Sequence, residues 1–186
     1  ESIIAFLDSD DTWAADKIQR QLDLVQGSPL PRQTVCHTRI RVVDGDKVDL
    51  RPSRARRADE PMSEYIFVDW GLIQTSSLLL PTALAREVPF DPQLRNFEDI
   101  AFCLKLAERG AHFLFLPEAL TCWRNEPSAD RASNECRPHY ARMLLAEVGH
   151  LMTPRARDAF WVTTLATAEL TQRPLATVSG IARATR

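Results

Sequence analysis

The sequence predicts an α/β protein with a C-terminal helical tail, and three observations carry that prediction. A run of apolar residues without alternation, Ile3-Ile4-Ala5-Phe6-Leu7, reads as a strand covered on both faces, of the kind found inside a parallel sheet. Further apolar strand-like runs recur, interleaved with amphipathic helical patterns, as in a layered α/β domain. From about residue 134 the pattern is helical only. At 186 residues the chain is one domain or a large part of one. We expect a sheet-bearing unit over residues 1–133 and a helical extension over 134–186.

Three carboxylates, Asp8, Asp10 and Asp11, arrive within four positions where the first strand must end. Ligands of open α/β sheets bind beyond the carboxyl ends of strands. Crowded like charges ask for a positive partner, and a hard divalent cation that also holds a phosphate supplies one. A solvated acidic turn capping the next helix is the simpler reading of the same spacing.

The remaining elements follow in order. Residues 14–26 place Ile18, Leu22 and Val25 at helical spacing, and Gly27-Ser28-Pro29 stops them. Residues 34–43 form a β-branched strand, turned at Asp44-Gly45-Asp46 into a partner over 47–50. Arg51, Arg54, Arg56 and Arg57 then crowd around Pro52. They read as a mobile solvated loop, or as a flexible flap meeting phosphates or a charged acceptor. A short helix over 62–70, a second buried strand over 74–80 and a helical turn opened by Pro81 come next. Phe97-Glu98-Asp99 leads an amphipathic helix with Ile100, Phe102, Cys103, Leu106 and Ala107 as its apolar stripe and Gly110 as its stop. Two acids in the first turn suit the helix dipole, which is reason enough for that pair. Residues 112–116 and 120–123 read as two strands around Pro117-Glu118, and 125–133 as a polar loop. Helices are expected at about 134–152, at 154–170 with Thr153 as N-cap, and from Leu175.

Composition sets limits. A formal net charge of −2 gives no global field to recruit nucleic acid. Four separated cysteines, Cys36, Cys103, Cys122 and Cys136, read as reduced thiols in a cytoplasmic protein. No apolar run approaches the ~20 residues of a membrane span. The chain lacks an initiator Met and opens almost inside a strand, so it reads as a piece of a longer protein.

Four stretches together resemble one known family. Leu7-Asp8-Ser9-Asp10-Asp11, followed by Trp13, Lys17 and Gln21, resembles the D-x-D region of family 2 glycosyltransferases. Gln74-Thr75-Ser76-Ser77-Leu78-Leu79-Leu80 looks like that family's TSSLLL strand. Phe97-Glu98-Asp99 with Leu104-Lys105-Leu106-Ala107 and Gly110 is similar to its acidic-pair helix, and Pro117-Glu118 with Leu120, Trp123 and Arg124 to its PE-L-x-x-YR strand. The resemblance spans residues 3 to about 133. It implies a GT-A-like fold, a partial Rossmann-like mixed sheet, and inverting transfer from a nucleotide-sugar donor to an acceptor hydroxyl in polysaccharide or glycoconjugate synthesis.

The resemblance also implies a divalent cation, Mn2+ or Mg2+, on Asp10 and Asp8, with Asp11 beside them at the donor. Asp99 would be the base, and Glu98 would shape the site or touch the acceptor. Gln74, Trp123 and Arg124 would meet the acceptor or a flap. Trp13 reads as a hydrophobic anchor; Lys17 as a solvated helix residue or the partner of an acid. Glu126 stands where many relatives place a metal-binding His. The family's nucleotide-recognising segment, which precedes its D-x-D strand, is not in this sequence, so the chain alone could lack donor affinity. The acceptor would be a saccharide or a lipid-linked one, the location cytoplasmic or peripheral at the inner face of the membrane. Self-association would run through an exposed N-terminal sheet edge.

Two rivals remain. Asp8-Ser9-Asp10-Asp11-Thr12 also fits the D-x-D-x-T pattern of haloacid-dehalogenase-type phosphatases, with Thr75 or Ser76 and Lys105 as supporting residues; their acidic pair should follow the lysine, and Glu98-Asp99 precedes it. A non-catalytic metal-binding or interaction module would need Asp99 to lie far from Asp8 and Asp10.

Overall fold

The structure, a computed structural model, describes residues 2–124 and 137–166. The expected polar loop, Glu126, Cys136 and the helix from Leu175 lie outside the described residues.

Chain order gives β1 (Ile3–Ala5), β2 (Thr12–Trp13), α1 (Lys17–Gln26), β3 (Thr34–Asp44), β4 (Lys47–Arg51), α2 (Met62–Phe67), β5 (Leu78–Pro81), α3 (Thr82–Glu87), α4 (Glu98–Glu108), β6 (His112–Arg124), α5 (Arg137–Val148) and α6 (Pro154–Phe160). A π-helical turn, Trp161–Ala166, continues α6. The strands form one mixed sheet in the order β1-β5-β3-β6-β2, with β4 on β3. The central strand, β3, pairs parallel with β6 on one edge. Its other edge is shared: Cys36 and His37 meet β5, while Ile40–Asp44 meet β4, both antiparallel.

Alternation sorts the side chains between two layers. Val35, Leu78 and Leu80 face the larger core with α2, α3, α4, α5 and α6, whereas Cys36 and Leu79 face a smaller one under α1. The helical residues after 136 belong to the larger core: Tyr140, Leu144, Val148, Met152, Ala156 and Phe160 all pack there.

Several expectations change. The opening run is a three-residue strand, antiparallel to β5, half-buried at the end of the sheet, and not a strand within a parallel array. Both its faces are nonetheless covered, Ile3 and Ala5 by the smaller cluster and Ile4 and Phe6 by the larger, which is why it shows no alternation. Pro117-Glu118 does not split two strands; β6 runs through it and absorbs the mismatch as register shifts opposite Thr38–Ile40. The expected helix over 62–70 ends at Phe67. The arginine-rich stretch, expected as a solvated loop or a flap, is hydrogen-bonded to the fold. Arg54 forks onto the buried Glu60 at 2.8 and 2.5 Å, Arg56 donates to the Glu60 carbonyl at 2.5 Å, and the Arg57 N–H donates to Glu60 Oε2 at 3.0 Å. One buried glutamate, through its carboxylate and its carbonyl, holds three of the four arginines, while Arg51 pairs with Asp49.

Candidate active site

Two separate pieces of chain are brought together. The acidic turn after β1 is held from behind by residues 74–77. The Asp8 N–H donates to Ser76 Oγ at 3.0 Å, and the Trp13 indole N–H donates to the Ser76 carbonyl at 2.7 Å. Gln74 Nε2 donates to Asp11 Oδ2 at 2.6 Å and to Asp8 Oδ2 at 3.1 Å. The second piece is the first turn of α4, carrying Glu98 and Asp99. Asp8, Asp10, Gln74, Glu98, Asp99 and Trp123 all line one cleft of about 390 Å3.

Crowding governs the charges in this cleft. Desolvation, then Asp11, Asp10 and Glu98, push the Asp8 carboxyl above its ordinary value, against a Ser76 hydrogen bond that lowers it. Asp99 is pushed up to about 7, by burial first and by Glu98 second; its Oδ1 accepts the Ile100 N–H at 2.7 Å, which opposes the shift. A helix dipole favours an ionised carboxyl in a first turn, and at this residue burial with like charge prevails over it. A half-buried carboxyl near 7 holds and releases a proton at neutral pH.

Not every candidate faces the cleft. Asp11 is buried behind the turn, tied to Gln74, so its placement is that of a brace beneath Asp8. Gln74 is 7% exposed and organises the acids. Arg124 is exposed at the end of β6 and lines neither this cleft nor its neighbour described below. Glu126 lies outside the described residues. Lys17 is neither solvated nor paired with an acid: it is fully buried, donates to Gln21 Oε1 at 2.7 Å and lies 4.2 Å over the Trp13 ring. Burial pulls it down to about 8. Gln21 in turn donates to the Cys36 and Ser77 carbonyls at 3.1 and 3.0 Å, so α1 grips the turn that carries Ser76. Trp13 takes the anchoring role expected of it, with Ser76 as the partner the sequence did not reveal.

Lys105 pairs with Glu147 and lines a different cavity, away from the acidic turn where the phosphatase reading needs it. Asp99 shares a cleft with Asp8 and Asp10, the opposite of what the non-catalytic module required. Among the described residues no three His, Cys, Asp or Glu side chains stand close enough to hold a metal by themselves, and no helix is long and apolar enough to cross a membrane.

A second cleft, also about 390 Å3, lies on the other side of Asp99 and shares Leu72, Phe97, Asp99, Ile100 and Trp123 with the first. Its remaining walls include Val42, Ile66, Phe67, Trp70 and Ile73. Sequence reasoning missed it. Trp70 and Phe97, the two non-glycine residues with positive φ (56° and 68°) among the described residues, both line it. The available signal was Trp70-Gly71 just past a helix end, a place where a left-handed residue is common.

Among known proteins, the chain is similar to the amylovoran biosynthesis glycosyltransferase AmsB of Erwinia amylovora, with 29% identity over 123 residues. That match covers 63% of this chain and 40% of the relative's length. No family model matches the chain, and no solved structure matches it.

Proposed function

We propose that these residues form the metal- and acceptor-facing part of an inverting glycosyltransferase of family 2 and GT-A type. It would move a sugar from a nucleotide diphosphate donor to an acceptor hydroxyl in polysaccharide biosynthesis. The observation that supports this most is the shared cleft of Asp8, Asp10, Glu98 and Asp99, with Asp99 poised near pH 7. The similarity to AmsB, a glycosyltransferase by name, points the same way.

In this reading Asp99 accepts the proton of the attacking hydroxyl while the sugar–phosphate bond breaks on the opposite side, so the anomeric centre inverts. Burial first, and like-charge repulsion from Glu98 second, keep Asp99 basic. Gln74 and Ser76 fix the direction of Asp8, and Lys17, Gln21 and Trp13 hold Ser76 and Ser77 in place. Asp10 and Asp8 would hold Mn2+ or Mg2+, which when bound neutralises charge on the departing diphosphate. The donor set fits: two hard carboxylates suit an ion that takes its other ligands from water and phosphate. Asp8 is raised by burial and then by neighbouring acids, a site that gains from added positive charge.

Calorimetric titration of UDP-glucose into the 186-residue chain tests the reading. Binding should appear with Mn2+ and vanish without it, and Asp10→Asn should abolish the Mn2+-dependent part. Equal heats with and without Mn2+, in wild type and variant alike, would overturn it. The outer edge of β1, at the end of the sheet, is the expected route to self-association. Sedimentation at rising concentration should show mass growth, and a clean monomer at high micromolar concentration contradicts that expectation.

A further inference from the structure

The second cleft differs from the acidic one in what it can satisfy. Its deeper wall is Ile66, Phe67 and Ile73, the last two nearly inaccessible. A bare sugar placed there would strip water from its hydroxyls and leave them unpaired, at a cost no side chain on that wall relieves. Polar groups occur elsewhere around it: Asp99, Asp49, Arg51, Thr164 and Thr163, the last already donating to the Ala159 carbonyl. An occupant that satisfies the whole cleft has a polar part near Asp99 and an apolar part beside Phe67.

Trp70 adds an independent observation. It is 61% exposed, the most exposed of the large apolar side chains, yet it lines this cleft. Its backbone is left-handed, a conformation costly for any residue with a Cβ. Glycine would ordinarily take that place at a helix end, but glycine is used one position later. A Cβ on Gly71 would sit 2.5 Å from the Tyr65 ring, and the Gly71 N–H donates to the Tyr65 carbonyl at 2.8 Å. The fold therefore spends strain to hold an indole at the edge of a cleft that contains the candidate base. Trp123, from β6, lines the same cleft.

We propose that this cleft is the acceptor subsite, and that it selects a glycoside bearing an apolar aglycone. The sugar ring would stack its C–H face on the Trp70 indole, and the apolar group would lie against Ile66, Phe67 and Ile73. Trp70 is then a specificity-determining residue for the acceptor. This rests on the glycosyltransferase reading above, but the binding it predicts needs neither donor nor turnover.

The test uses the 186-residue chain labelled with 5-fluorotryptophan, whose four tryptophan signals (Trp13, Trp70, Trp123 and Trp161) are assigned by single Trp→Phe variants. The probes are octyl and methyl β-D-glucopyranoside, the former kept below its micelle concentration. Octyl glucoside should shift the Trp70 and Trp123 signals, leave Trp13 in place, and bind at least about tenfold tighter than the methyl glycoside. Trp70→Gly should weaken octyl glucoside about tenfold while keeping or raising the melting temperature, since glycine relieves the left-handed backbone. Trp70→Asn, which also tolerates that conformation, gives the same reading if the glycine variant misfolds. Equal affinity for the two probes, or no loss in either variant, would overturn the proposal. If octyl glucoside binds as described while UDP-glucose with Mn2+ does not, the donor reading fails and the subsite stands; the reverse pattern overturns the subsite alone.

Discussion

Glu60 and Asp99 are two carboxylates withdrawn from water in one small domain, and their surroundings pull them in opposite directions. Glu60 is held by both nitrogens of the Arg54 fork and by the Arg57 N–H, and its carboxyl falls to about 2, the Arg54 hydrogen bond being the largest cause. Among the described residues no cation pairs with Asp99; its largest influences are burial and Glu98, and it rises to about 7. The first arrangement lowers the energy of the folded chain. The second raises the energy of an ionised group at the edge of a cleft, which is how a fold stores basicity for use at neutral pH. A run of arginines is held in a clasp, and the second acid of a pair at a helix start is the raised carboxyl.

Removing the poised group should have the largest effect. Where turnover is measured, Asp99→Asn should lower it by a factor of about 10² to 10⁴ with little change in Mn2+-dependent donor binding. The wild-type kcat/KM should rise with pH through about 7, because only the ionised carboxyl accepts the proton. Stability runs the other way. A carboxyl raised in the folded state contributes stability that is full below its ordinary value of 3.8 and is lost as pH climbs through about 7. Melting temperature should therefore decline over that window in wild type and flatten in Asp99→Asn. Near-normal turnover in the variant would transfer the role of base, with Glu98 the first alternative.

Breaking the clasp should change stability and leave donor binding alone. Glu60→Gln removes the charge that Arg54 forks onto, leaving Arg54 with Asp69 as its acidic partner, and should destabilise the fold by about 1–3 kcal/mol at neutral pH, read by urea denaturation. The stability linked to the depressed carboxyl is present above about 4.5 and lost as pH falls toward about 2, so wild type and variant should converge in acid. The smallest effect is expected at Lys17→Met, which keeps the buried stem but removes the cation over Trp13, at about 1 kcal/mol. Because Lys17 is depressed to about 8, its contribution is present above 10.5 and lost as pH falls through 8. The methionine variant should lose that slope.

Local pattern made much of this legible. The hairpin of β3 and β4, the Gly110 stop of α4 and the Thr153 cap of α6 are written in turn and cap residues that act on their immediate neighbours. The grouping of Asp8 and Asp10 with Glu98 and Asp99 was legible only through the resemblance. What escaped were facts made by distant partners. The single partner that holds Arg54, Arg56 and Arg57, the burial of Lys17 by Gln21 and Trp13, and the left-handed Trp70 beside a Gly71 packed on Tyr65 depend on tertiary contacts no window of sequence displays. The direction of β1 was misjudged for the same reason: a short apolar run specifies that both faces are covered and not which neighbour it pairs with.

The register of β2 on β6 sets the order of folding events. Thr12 pairs with Cys122 and Trp13 with Thr121, so the segment carrying Asp8, Asp10 and Asp11 is closed by residues that lie more than half the chain away. The parallel pairing of β3 with β6 also spans a long loop, whereas β3 with β4 needs only a tight turn. Contacts of such high sequence separation form slowly, because loop-closure entropy is lost before any pairing is gained. In pulsed hydrogen exchange during refolding, amides of the β3–β4 hairpin should gain protection first. Those of residues 12–13 should gain it together with β6, making the acidic turn among the last parts of the molecule to acquire its native shape.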